Sequence, residues 1–280
     1  MKKLLALVVI LCAASGVATA HTGYMKPSVF IAPTDRVNFE SAFATTFFTP
    51  EIALGAGFKI FEPDGSEGVF DQAEITNNAA RLSSSLTEQG TYRISSGEQM
   101  GAVVTLVGVD GTWRPLGQGE TPAADAQTTT LQTVTLADAY VTRGTPSRGV
   151  VDAQTSALAI KPITHPNQIV ASQGFQVQVL LSGAPFPNTP VVLYANGQAD
   201  TDTTRYFVTD ANGVATVSLD QPGDYVIAVR YRGAAPAGSP AAIRSYTTTL
   251  TFEALAQAPT FTPLPEQDRR PRRTHRGMTQ

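Results

Sequence analysis

The sequence predicts an all-β protein built of two consecutive β-sandwich domains, and three observations carry that expectation. Across residues 21–255 no stretch sustains a helical apolar period, whereas short alternating runs recur between Gly, Pro, Asn and Asp. Turn signals fall at intervals of about eight to twelve residues, the spacing of sandwich strands. A nine-residue pattern also occurs twice, as Leu86-Thr87-Glu88-Gln89-Gly90-Thr91-Tyr92-Arg93-Ile94 and as Leu219-Asp220-Gln221-Pro222-Gly223-Asp224-Tyr225-Val226-Ile227. Each copy reads as one hairpin, with glycine at the reversal and leucine, tyrosine and isoleucine on buried faces.

The chain opens with basic Lys2 and Lys3, an apolar run over residues 4–12, and Ala18-Thr19-Ala20 ahead of His21. This is the layout of a secretory signal peptide, residues 1–20, cut after Ala20. The apolar run is about half of the roughly twenty residues that span a bilayer, so no transmembrane segment is expected in the mature chain. Val9-Ile10-Leu11 are too bulky ahead of Cys12 for lipid attachment. Cys12 is the only cysteine, and its departure removes disulfides and thiolate metal sites from the mature protein. Export places that protein in the periplasm.

Strands are expected in the first domain, residues 21–155, at 37–44, 92–95, 103–107 and 131–141. The second domain, residues 156–255, is immunoglobulin-like, with strands at 175–180, 191–194, 214–219, 224–231 and 246–252. In 175–180 Phe175, Val177 and Val179 alternate with Gln176 and Gln178, so one face meets a core and the other solvent. The run 224–231 is apolar almost throughout, as a central strand is. Pro63-Asp64-Gly65, Asp110-Gly111, Asn196-Gly197 and Ala211-Asn212-Gly213 supply residues that tolerate positive φ at tight reversals. The junction between domains falls within 142–162, where Arg143-Gly144-Thr145-Pro146-Ser147-Arg148-Gly149 breaks the alternation. Residues 256–280 read as a tail without packed structure, Pro-rich and then basic.

Removal of Lys2 and Lys3 takes the net charge from −3 to about −5, which argues against a nucleic-acid partner. Only the tail is basic, with Arg269, Arg270, Arg272, Arg273 and Arg276 crowded together. That cluster reads as a solvated terminus, with attachment to an anionic surface as the functional alternative.

Much of the mature chain resembles the exported bacterial family catalogued as domain of unknown function 4198, often labelled as associated with nickel or cobalt uptake. The resemblance begins at His21-Thr22-Gly23-Tyr24-Met25-Lys26-Pro27 and continues through the strand at 37–44 and Ile160-Lys161-Pro162-Ile163-Thr164-His165-Pro166-Asn167. It then follows residues 173–185, Thr209-Asp210-Ala211-Asn212-Gly213 and Pro222-Gly223-Asp224-Tyr225. Where the family commonly has a tryptophan soon after the histidine, this chain has Tyr24-Met25. The resemblance implies a periplasmic accessory to metal handling, with an inner-membrane metal transporter as partner. The oligomeric state is not legible.

Among candidate metal ligands His21 stands first. Cleavage frees its α-amine, which together with a ring nitrogen forms a chelate suited to nickel, cobalt or copper. A further donor is the Thr22 amide or a second histidine, His165 being preferred to His275 of the tail. The competing reading of Thr164-His165-Pro166-Asn167 is an exposed turn. Met25 reads as packing rather than as a thioether ligand, and Asp200 and Asp202 form at most a weak calcium signal. Asp210 reads as a turn residue, while Tyr92 and Tyr225 read as core residues whose hydroxyls reach backbone. Trp113 caps a sandwich edge or presents a binding face. No nucleophile motif, phosphate-cradling loop or zinc spacing appears, so no enzyme activity is expected. The alternative to metal binding is a structural or protein-interaction module of the cell envelope.

Overall fold

The computed structural model describes residues 21–153 and 156–265. The expected signal peptide, the expected end of the first domain at 155 and the arginine cluster with His275 lie outside the described residues. In chain order, the first half forms β1 (Thr22–Pro27), β2 (Ile31–Ala32), β3 (Arg36–Ala44), β4 (Ile52–Ala53), β5 (Lys59–Phe61) and β6 (Gln72–Ile75). It continues with β7 (Ala80–Ser85), β8 (Gly90–Ser95), β9 (Gln99–Val109), β10 (Thr112–Pro115) and the long β11 (Thr128–Arg143). A single turn of helix, α1 (Gly149–Asp152), precedes β12 (Leu158–Pro162), β13 (Phe175–Leu181), β14 (Ala184–Pro185) and β15 (Pro190–Ala195). The chain then forms β16 (Tyr206–Val208), β17 (Val214–Val217), β18 (Gly223–Ala234) and β19 (Ile243–Ala254). Each strand expected from sequence is present, with shifts of a few residues at its ends.

These strands make an all-β sandwich in three layers. The central sheet has ten strands, running β10-β9-β11-β19-β18-β15-β16 with β8, β5 and β2 attached through β11. Both halves of the chain contribute to it, and they meet where β11 and β19 pair in parallel from Leu131↔Ile243 to Ala139↔Thr251. One face is covered by the sheet β1-β3-β7-β6, with β4 at its side. That face carries Ile60, Tyr92, Ile94, Ala137, Ala139 and Val141 against Met25, Phe39 and Leu82. Farther along the same sheet, Val192, Tyr194, Val226 and Ala228 meet Tyr24, Ala42 and Phe47. The opposite face packs Leu193, Ile227, Val229, Leu250 and Phe252 against Phe175, Val177 and Val179 of the sheet formed by β12, β13, β14 and β17. Strand β18 is thus buried on both faces, which explains its nearly continuous apolar sequence.

The repeated nine-residue pattern has a different meaning from the expected hairpin. Strand β7 belongs to the covering sheet and β8 to the central one, while β17 and β18 are likewise in different sheets. Each copy is therefore a connection that crosses from one layer to the next. Each tyrosine hydroxyl donates to the carbonyl four residues back, Tyr92 to Glu88 at 3.0 Å and Tyr225 to Gln221 at 2.8 Å. The glycine after that carbonyl opens the strand at φ 142° for Gly90 and 150° for Gly223. This is the tyrosine corner of immunoglobulin-like sandwiches, present once in each half. Local sequence cannot tell a reversal within a sheet from a step between sheets, because both need a flexible residue between buried faces.

The expected turns form. Asp110 and Gly111, at φ 49° and 76°, close a two-residue hairpin between Val109 and Thr112. Asp210 accepts hydrogen bonds from the amides of Asn212 and Val214, both at 2.8 Å. Residues 256–265 contain no helix or strand, yet the Leu264 amide donates to Gln89 Oε1 at 2.8 Å, so the chain returns to the first half.

Candidate functional site

The pairing of β1 with β3 builds the surroundings of His21. Thr22 is the register partner of Ala44, so His21 lies opposite Thr45 at the strand end. Thr45 donates its amide to Glu51 Oε1 at 2.9 Å, and its hydroxyl bonds the same oxygen. That leaves Glu51 Oε2 free to meet His21 Nε2 at 2.9 Å. The two side chains are about 29% and 32% exposed, open enough for a ligand to approach. The Thr45 hydroxyl and amide, and then His21, hold the Glu51 carboxyl below the usual range. Glu51 is therefore an ionised acceptor for an Nε2–H proton.

One residue along, Thr22 turns inward and donates to Asp200 Oδ2 at 3.0 Å, while Arg230 donates to Thr22 Oγ1 at 2.8 Å. The Asp200 amide donates to the Thr45 carbonyl at 2.8 Å and ties this loop to the strand end. Asp202 is held by the Thr204 amide and hydroxyl and by Gln198 Nε2. Asp200 and Asp202 are thus occupied by protein donors rather than turned together toward one point. Met25 is fully buried in the core, as a packing residue is. Trp113 stands about 40% exposed on the edge strand β10.

His165 is in a different place from the one its turn-like sequence implies. It is only 6% exposed. Its Nδ1 accepts from the Asn167 amide at 3.2 Å, and its Nε2 lies 3.1 Å from the Ser147 carbonyl and 3.0 Å from Thr91 Oγ1. This pattern requires the neutral ring with its proton on Nε2. Burial pushes the imidazole below its ordinary value, against the Ser147 carbonyl, which raises it. Thr91 in turn meets Thr142 at 2.8 Å, near the end of β11. His21 is near the middle of that strand, because Gly23 packs against Thr135. Seven strand residues at about 3.3 Å each separate those points, so the two histidines stand on the order of 20 Å apart. The structure does not bring them together.

Among the described residues no three His, Cys, Asp or Glu side chains gather as a metal cage. Any metal at His21 therefore needs donors beyond the side chains gathered there. A separate cleft of about 890 Å³ lies beside β1 and β3. Its charges are largely paired, Lys26 with Asp224 at 2.7 Å and Arg81 with Glu40 at 3.8 Å. Sequence reasoning missed Glu51, whose role follows from the loop that carries it back to the start of β1.

A family model described as Domain of unknown function (DUF4198) matches residues 18–233. No curated protein matches the chain. Among solved structures, the D0-D1 domain of intimin is 12% identical, with a TM-score of 0.21, over 82% of this chain and 99% of that one. The major pilin subunit of Bacillus cereus is also 12% identical, with a TM-score of 0.14, over 89% of this chain and 68% of that one.

Proposed function

From the premise that the chain belongs to the family of domain of unknown function 4198, we propose that the mature protein is a periplasmic metal-binding accessory anchored at His21. The observation that carries this reading is the contact between Glu51 Oε2 and His21 Nε2. A carboxylate accepting from Nε2–H fixes the ring tautomer and leaves the Nδ1 lone pair for a metal. Nδ1 is the nitrogen that closes a six-membered chelate with the α-amine of the same residue; Nε2 cannot reach. Glu51 thus orients and polarises the ligand without itself being one. Nitrogen donors of this kind favour copper, nickel and cobalt. His165 has no part in the site and serves as a buried hydrogen-bonding hub.

The test is calorimetric titration of the three ions into protein beginning at His21, beside a version with one alanine placed before it. Binding at about micromolar or tighter affinity is expected only for the first. Glu51→Ala should weaken it by about 10- to 100-fold, as loss of an orienting carboxylate does. Equal binding by both versions, or none by either, overturns the reading. The second case favours a structural module of the envelope, for which the exposed Val103, Val104, Val109 and Trp113 on β9 and β10 offer a contact edge.

A further inference from the structure

The cleft of about 890 Å³ lies between the covering sheet of β1, β3, β7 and β6 and the place where β18 begins and β19 ends. Strand register lines up its charges. On the covering sheet Lys26 stands opposite Glu40, Glu40 opposite Arg81, and Arg81 opposite Glu74. On the central sheet Asp224 stands opposite Glu253, and Lys26 crosses between the sheets to Asp224 at 2.7 Å. The charges therefore form one row, from Glu74 at one end to Glu253 at the other, whose sign alternates until its last step. Four carboxylates against two cations leave the groove two negative charges in excess.

The middle of the row is satisfied and its ends are not. Glu40 accepts from the Tyr24 hydroxyl at 2.7 Å and meets Arg81 at 3.8 Å. Glu74 lies beyond Arg81 on the edge strand β6, with no cation on its outer side among the described residues. Glu253 meets no cation among them either and faces Asp224, and like charges directly opposite in a sheet repel. Burial first, and then Asp224, push the Glu253 carboxyl above the usual range. Beside the row, Val29, Ile31 and Leu82 give the groove apolar surface. An arginine side chain fits both features, because its guanidinium forks onto a carboxylate while its methylene stem lies along apolar surface.

Such side chains belong to this same chain. Leu264 packs beside Gly144, where an added Cβ would fall 3.1 Å from its Cγ. Gly144 follows Arg143, the register partner of Ala32, and the neighbouring Ile31 lines the groove. Adjacent strands are about 5 Å apart, so Leu264 stands on the order of 10 Å from the rim. Arg269 lies five residues farther on and Arg276 twelve, reaches of up to about 17 and 40 Å at 3.3–3.6 Å per residue. We propose that the arginine cluster of residues 269–276 docks in this groove of its own molecule, its guanidinium groups pairing with Glu253 and Glu74. This inference is independent of His21.

Paramagnetic broadening in the mature full chain tests it. Without Cys12 the mature protein has no cysteine, so Thr274→Cys places a single spin label among the arginines without replacing one. The amides of Ile31, Asn38, Glu74 and Glu253 should broaden, and that of Trp113 on the distant edge strand β10 should not. Glu74→Gln combined with Glu253→Gln should lower the docked-to-free ratio of the tail by about fivefold or more, the combined effect of losing two partly exposed ion pairs. Arg272→Ser combined with Arg273→Ser should do the same and leaves the strands untouched should the first pair not fold. Isotope-enriched protein without a label, mixed with labelled protein that is not enriched, should show no broadening. Broadening in that mixture would assign the groove to the tail of a second copy and overturn the proposal. Sharp groove amides in the labelled chain would leave the groove to a basic segment of another protein and overturn it too. Trp113 broadened as strongly as the groove, or broadening undiminished in either folded variant, would show a tail without a seat, with the same result.

Discussion

At the residue scale the two histidines separate by environment. His21 is half-exposed beside a carboxylate, whereas His165 is enclosed by groups that need it neutral: the Asn167 amide aims a donor at Nδ1, where a second proton would have to sit. Arg148 nearby also disfavours the charged ring, and Asp152 opposes it weakly. The folded value is therefore depressed below 6.5, while the unfolded chain titrates at its ordinary value. Between those values the unfolded state binds the proton and the folded state does not. Stability should accordingly fall as pH drops through 6.5, with no pH dependence from this ring well above it. Thermal unfolding at stepped pH checks this, and His165→Gln should flatten the slope in that window while lowering the midpoint throughout. An unchanged slope would show that the ring titrates freely. His21 was legible as a candidate because the expected signal peptide ends beside it. The role of His165 was not, because Thr91 and Ser147 reach it from distant parts of the chain.

At the element scale, the repeated motif shows both the reach and the limit of sequence reading. Its leucine, glycine, tyrosine and isoleucine were recognisable, and so was the burial of the tyrosines. The step between sheets was not, because strand partners are set by contacts far away in sequence. Strand β7 was missed for a related reason: Ser83 and Ser84 are both buried, yet a serine run reads as loop. The two corners differ in a testable way. Tyr92 donates to the Glu88 carbonyl and accepts from the Glu88 amide at 2.7 Å, whereas Tyr225 has one such bond. Tyr225→Phe should cost about 1 kcal/mol and Tyr92→Phe more, measured by denaturant unfolding. Gly90→Ala should cost more than Gly223→Ala. Both strain a positive φ, by about 1–3 kcal/mol, but only at Gly90 would the new Cβ fall 2.5 Å from Pro63. Equal costs at the two glycines would show that Pro63 moves aside freely.

At the scale of the whole molecule, the sequence suggested two halves, and the structure adds what joins them. Strand β11 begins in the middle of the central sheet against β9, takes β19 as its parallel neighbour, and ends against β8. The sheet containing β1 and β3 lies over strands from both halves, with the Phe47 ring 4.8 Å from that of Tyr194 across the junction. Parallel pairing between strands more than a hundred residues apart leaves no periodic trace in either strand, so it could not be read in advance. Its consequence is energetic coupling. Unfolding either half exposes Tyr24, Phe47 and Val226, which are almost wholly buried, and leaves β11 or β19 without its parallel partner. The mature protein should therefore unfold in one transition, with the fluorescence of Trp113, in the first half, tracking the same midpoint as far-ultraviolet circular dichroism. Phe47→Ala should lower stability by about 3–5 kcal/mol, as large aromatic truncations in cores do. It should also drive the two probes apart, because the lost ring lies where the halves meet rather than inside either one. A variant that loses that stability while keeping a single shared midpoint would place the coupling in the β11 and β19 ladder, and coincident loss on weakening that ladder would then be the result to expect.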